Sequence, residues 1–135
     1  ETVSGYNQMI DTNHGVYLIS SNGAMPQIEK TYKITATHLT KQITSEVQFE
    51  DLPEVVCDEF SYSKQGCFAA EINPLNESQI WNYCDLNEKE KQAIIALAET
   101  ISFTVIDTKS YTYYFSFREN KWTLSFIDLR IPCQG

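Results

Sequence analysis

Bases, histidines and glycines are scarce in this sequence. Ten Lys and Arg stand against eighteen Asp and Glu, a formal charge of −8. General nucleic-acid binding needs a basic footprint to displace phosphate counterions, so this balance excludes it. Adhesion to an anionic membrane surface is excluded on the same ground. Nor is there an apolar run near the roughly 18–20 residues that a bilayer-spanning helix requires. The five glycines are scattered and form neither G-x-G-x-x-G nor G-x-x-x-x-G-K-[ST], so no loop is built to cradle a phosphate. Histidine occurs only as His14 and His38, remote in sequence from the cysteines, and no cysteine pair has C-x-x-C spacing. A zinc knuckle or dithiol redox motif is therefore not expected, and no cofactor or metal is implied.

The 135 residues are 42% hydrophobic and 21% charged, enough to bury one core and too few for two ordinary domains. Four widely spaced cysteines in so small a domain read as two disulfides formed in an oxidising compartment. The expected pairing is Cys57–Cys67, closing a short loop, and Cys84–Cys133, tying the C-terminal region to a helix end. Glu1 in place of an initiator Met fits removal of a signal or lipoprotein leader. Eight lysines to two arginines, with frequent Ile, Asn and Thr, point to a bacterial source. The expected location is thus exported: the bacterial periplasm or cell surface, with a lipid anchor upstream conceivable.

Along the chain, residues 1–15 are polar and glycine-containing and read as an arm or linker, leaving 16–135 as one domain. Val16 to Ser20 is a strand stopped by Ser21-Asn22-Gly23. Alternation of Tyr32, Ile34 and Ala36, then of Ile43, Val47 and Phe49, predicts a hairpin over 31–49. Residues 50–75 are irregular, with a short strand at 67–72. Asn76 is positioned to cap a short helix carrying Ile80, Trp81 and Cys84. Asn87 and Glu90 have capping-box spacing, and Ile94, Leu97, Ala98 and Ile101 follow as one stripe, so a helix is predicted over 88–101. Phe103 to Ile106 is a strand. Tyr111, Tyr113, Phe115 and Phe117 alternate, a polar turn intervenes at 118–121, and Trp122, Leu124 and Phe126 resume the alternation, which makes an aromatic hairpin. The expected fold is a single α+β domain. Its antiparallel sheet has about five or six strands, with one or two helices packed on one face and an aromatic hairpin at the C-terminal end.

Catalytic signatures are weak. Ser61-Tyr62-Ser63-Lys64 fits S-x-x-K, but the S-D-N and K-T-G partners of that chemistry are missing. No G-x-S-x-G elbow exists, His14 reads as a loop residue and His38 as an edge-strand residue, so no catalytic residue is expected. Recognition is better represented. Glu50, Asp51, Glu54, Asp58 and Glu59 fall within ten residues with no base among them. The adjoining loop carries Phe60, Tyr62 and Lys64, and a Cys57–Cys67 brace would lower its entropy cost on binding. The expected partner-binding residues are Asp51, Glu54, Asp58, Glu59, Tyr62 and Lys64. Asp128 continues the inward series of the last strand and needs a donor such as Arg130.

The leading functional expectation is an exported non-enzymatic protein-binding domain, most concretely an acidic inhibitor or immunity protein blocking a basic exported enzyme or toxin. The aromatic hairpin is of a kind seen in many small secreted bacterial domains, cystatin-like and NTF2-like ones included, a pattern too generic to carry function. The alternative expectation is a small-molecule binder with such a sheet, its concave face lined by the aromatics. A small carboxylate-dependent hydrolase is the second alternative.

Overall fold

The computed structural model describes residues 3–43, 45–59 and 61–132. A short helix α1 (Val3–Asn7) leads into strands β1 (Val16–Asn22) and β2 (Met25–Thr31). Four short strands follow: β3 (Val47–Phe49), β4 (Val55–Val56), β5 (Ser61–Tyr62) and β6 (Cys67–Ala70). Two 3-10 turns, Pro74–Glu77 and Ile80–Tyr83, precede helix α2 (Glu88–Ala98). The chain then forms β7 (Ile101–Asp107), β8 (Thr112–Arg118) and β9 (Lys121–Asp128). Seven strands make one sheet in the order β2-β1-β9-β8-β7-β6-β3, and β4 pairs separately with β5. The α+β class is as expected. The sheet, however, is larger than five or six strands, and it is mixed, because β1 runs parallel to β9 and β3 parallel to β6.

The best-defined local signals become structure. Asn87 Oδ1 accepts from the Glu90 amide at 2.8 Å and Glu90 Oε1 accepts from the Asn87 amide at 3.1 Å, closing both halves of the capping box that starts α2. β8 and β9 are joined through Glu119 and Asn120, both at positive φ (52° and 66°), the backbone that a tight two-residue hairpin needs.

Elsewhere tertiary contacts override local pattern. The hairpin expected over 31–49 does not form. β2 comes earlier, as a mostly polar edge strand, and only Val47–Phe49 of the second segment is extended. Ile34 sits in irregular backbone because Asn7 replaces a strand partner for it. The Ile34 amide donates to Asn7 Oδ1 at 2.7 Å and Asn7 Nδ2 donates to the Ile34 carbonyl at 3.0 Å. Within the stretch that reads as an arm, Tyr6 and Ile10 are buried and the Met9 carbonyl accepts from the Leu124 amide at 2.7 Å. The helix expected from Asn76 is replaced by the two 3-10 turns. The first of these is capped by Asn73, one residue before Pro74.

Both faces of the sheet are covered, rather than one. On one face Tyr6 and Ile10 join Val16, Leu18, Tyr113, Leu124 and Ile127. On the other, Ile94 and Ala98 of α2 pack with Trp81, Ile19, Tyr114 and Phe126. A register shift opposite Tyr114/Phe115 inserts Ser125 as a β-bulge. It sends Phe126 to the face opposite Leu124, against the simple alternation. The bulged hydroxyl is satisfied by Ser116 Oγ at 2.8 Å, which in turn meets Thr100 Oγ1 at 2.8 Å.

Neither expected disulfide exists, because Cys67 and Cys84 are both free thiols. Cys67 lies in β6, buried between β3 and β7, and burial followed by the nearby Asp107 carboxylate pushes its thiol up to about 11. The Cys84 thiol donates to the Ile80 carbonyl at 3.3 Å. Cys57, in a 3-10 turn at 57–59, is disulfide-bonded but to neither of them. Cys133 lies outside the described residues.

Candidate functional site

The acidic segment is a solvated rim. Asp51, Glu54 and Asp58 are exposed, and none enters an ion pair among the described residues. The Glu59 side chain and Phe60 lie outside the described part. The loop is held without a Cys57–Cys67 bridge: the Ser63 amide donates to the Glu54 carbonyl at 2.7 Å, and the Glu54 amide donates to Ser63 Oγ at 2.9 Å. Lys64 turns back on its own domain. Its Nζ is 3.0 Å from Glu50 Oε1 and 4.4 Å from the centroid of the Phe68 ring. Tyr62 points elsewhere, into a cleft described below, so the six expected residues do not form one cluster.

Beside this rim lies an aromatic surface that sequence alternation alone does not reveal. Phe49 meets Phe103 edge to face at 6.2 Å, Phe103 meets Trp122 at 5.3 Å, and Trp122 meets Phe117 at 4.8 Å. The rings come from β3, β7, β9 and β8 and occupy the end of the sheet face that the N-terminal segment leaves open. Phe49 is 76% exposed, and Phe117 and Trp122 are 46% exposed each. The patch continues past Val47 into an apolar groove of about 360 Å3 lined by Met9, Ile43, Val105 and Phe115. Edge strand β3 is entirely exposed and flanked by Glu46, Glu50 and Asp51.

The opposite face carries a polar cleft of about 450 Å3. Thr104 and Ile106 of β7, Thr112 and Tyr114 of β8 and Asp128 of β9 line it, and Tyr62 and Val55 of the small β4–β5 pair line another side. Asp128 and Arg130 form the ion pair that the inward series requires. Arg130 Nε donates to Oδ1 at 2.9 Å, Nη2 to Oδ2 at 2.8 Å, and the Arg130 amide to Oδ1 at 3.1 Å. The hydrogen bond to Asp128 raises the Arg130 pKa. Burial, then the Asp128 carboxylate, holds the hydroxyls of Tyr62 and Tyr114 above the ordinary phenol value, so both stay protonated donors.

The two histidines serve turns. His14 Nδ1 is 3.2 Å from Asp11 Oδ2, and His38 Nδ1 accepts from the Thr35 amide at 3.0 Å. Among the described residues no group of three or more His, Cys, Asp and Glu is placed to hold a metal ion, and no helix is long and apolar enough to cross a membrane. Comparison with protein-family models, with curated proteins and with solved structures finds no match for this chain.

Proposed function

We propose that the chain is an exported, non-enzymatic protein-binding domain that docks a basic protein on the aromatic surface around Phe49 and Trp122. Its most concrete form is an acidic inhibitor or immunity protein that blocks a basic exported enzyme or toxin. The observation that carries this reading is the linked array of Phe49, Phe103, Trp122 and Phe117, three of whose rings are 46–76% exposed. Single apolar residues on a surface are ordinary, whereas a contiguous aromatic patch is the material of binding hot spots. Charge selects the partner. Between Ser45 and Ser63 the sequence has six acidic residues and no basic one, a rim that steers a cationic surface toward the patch.

Surface plasmon resonance against a panel of basic exported hydrolases and toxins, lysozyme included, tests it. A partner is expected at micromolar Kd or tighter, weakening as salt is raised. The double variant Phe49→Ala/Trp122→Ala should cost at least about 2 kcal/mol of binding while the chain remains folded in buffer by circular dichroism, although the urea midpoint falls with the lost contacts to Phe103 and Phe117. Binding that survives the double variant undiminished, or a panel with no partner at micromolar concentration, refutes the reading.

A further inference from the structure

The cleft on the α2 side of the sheet is independent of the aromatic surface, and its polar groups are unevenly satisfied. Both Asp128 oxygens already accept from Arg130, and the Thr104 hydroxyl donates to the Ile72 carbonyl at 2.9 Å. The Tyr62 hydroxyl lies close to Thr112. Two donor sets remain. Tyr114 is only 7% exposed, and its hydroxyl has no hydrogen-bond partner among the described residues. Tyr114 lines the cleft together with Tyr62, Asp128 and Arg130. Among the described residues only Arg118 Nε is a fully buried side-chain polar atom without a partner, so the Tyr114 hydroxyl, itself unbonded, reaches the solvent of the cleft. Arg130, which also lines the cleft, spends Nε and one Nη2 hydrogen on Asp128, which fixes the plane of its guanidinium and leaves its other N–H groups for a ligand.

We infer that the cleft is a binding site for a small carboxylate with an apolar body, the carboxylate seated between the outer edge of Arg130 and the Tyr114 hydroxyl. A guanidinium has donors only, so a ligand that pairs with the remaining Arg130 N–H groups must bring acceptor oxygens. A planar guanidinium edge matches the two oxygens of a carboxylate. The apolar body is received by Pro26, Val55, Pro74, Ile106, Ile131 and Pro132. The volume of about 450 Å3 lies within the range that encloses a small ligand. Asp128 is a positioning residue here: both of its oxygens bond Arg130 and hold the guanidinium in place.

The test is a two-dimensional 1H–15N titration of the intact chain with phenylacetate, and with phenylacetamide as its uncharged counterpart. Saturable shifts are expected with phenylacetate at Thr112, Tyr114, Asp128 and Arg130, and at least tenfold weaker binding, on the order of one charge-assisted hydrogen bond, is expected for the amide. Tyr114→Phe removes only the unpartnered hydroxyl. It should keep the wild-type urea midpoint and weaken phenylacetate by about tenfold. Arg130→Lys keeps the positive charge but loses the fork and should weaken it by a similar factor. No saturation at tens of millimolar, equal binding of the amide, shifts centred on Phe49 and Trp122, or undiminished binding by Tyr114→Phe would each overturn the inference.

Discussion

Replacing Asn7 by alanine removes two hydrogen bonds at once, and the structure sets what that should cost. The Asn7 carboxamide accepts from the Ile34 amide at 2.7 Å and donates to the Ile34 carbonyl at 3.0 Å, across 27 residues of sequence. Ile34 itself has no exposed surface and sits in the core with Tyr6 and Tyr113. Truncation therefore leaves a peptide N–H and a C=O without partners at a largely buried position. An unsatisfied buried polar group costs about 1–3 kcal/mol; with partial access of water through the half-buried Asn7 position, about 2–4 kcal/mol is expected for the pair. That is a large share of the roughly 5–15 kcal/mol that holds a domain folded. Urea unfolding, followed by the fluorescence of buried Trp81, should show the midpoint falling by about 1–2 M with an unchanged slope. A loss below about 0.5 kcal/mol is what a substitution in a solvated arm costs. That result would refute the packing of Ile34 with Tyr6 and Ile10 in one cluster over the sheet.

Three further outcomes follow from single sites. Gly15 has φ +72°, and a Cβ there would lie 2.7 Å from the Thr31 carbonyl oxygen, while Gly23 at φ +66° has open space around it. Gly15→Ala should thus destabilise by more than about 2 kcal/mol and Gly23→Ala by only about 1 kcal/mol, and equal losses in thermal unfolding would contradict the packing at Gly15. Cys67 titrates near 9.0 in an unfolded chain and at about 11 when folded. As pH rises the unfolded form loses its proton first, so stability is whole below pH 9.0 and declines toward 11. The share due to Cys67 amounts to roughly 2–3 kcal/mol, and Cys67→Ala should make the fall in urea midpoints shallower by that share. The remainder above pH 10.0 comes from the buried Tyr113 and Tyr114 hydroxyls, which are also held above the phenol value. Asn87→Ala opens the capping box of α2 and should cost about 1 kcal/mol, which a circular-dichroism melt would register as a lowered midpoint.

Legibility differed from one element to the next for physical reasons. The start of α2 could be read because Asn87 and Glu90 satisfy each other's backbone within one turn. The β8–β9 hairpin could be read because its turn and flanking alternation are contiguous. Asp128 announced a need for a donor, and Arg130 stands two residues away. By contrast, β2 is a polar edge strand with little alternation to detect, and α1 is only five residues long. The cysteine pairing failed for a related reason: whether Cys57 meets Cys67 depends on β6 being threaded between β3 and β7, which no spacing rule contains.

The two surfaces illustrate the same division. Tyr62, Asp128 and Arg130 drew attention from sequence, yet only the sheet order brings them to one cleft with Tyr114. Phe49 and Phe126 look alike in sequence, each an aromatic in an alternating strand. One is 76% exposed, and the other, turned over by the bulge at Ser125, has no exposed surface and touches Tyr17, Trp81 and Tyr114. The sequence by itself determined the α+β class, the negative charge, the Asn87 cap of α2 and the C-terminal hairpin, because each arises from neighbours along the chain. Tertiary structure alone decided which rings are buried, which thiols are free and which donors are left without partners. Those properties depend on what lies across the sheet, and contacts there join residues far apart in the chain.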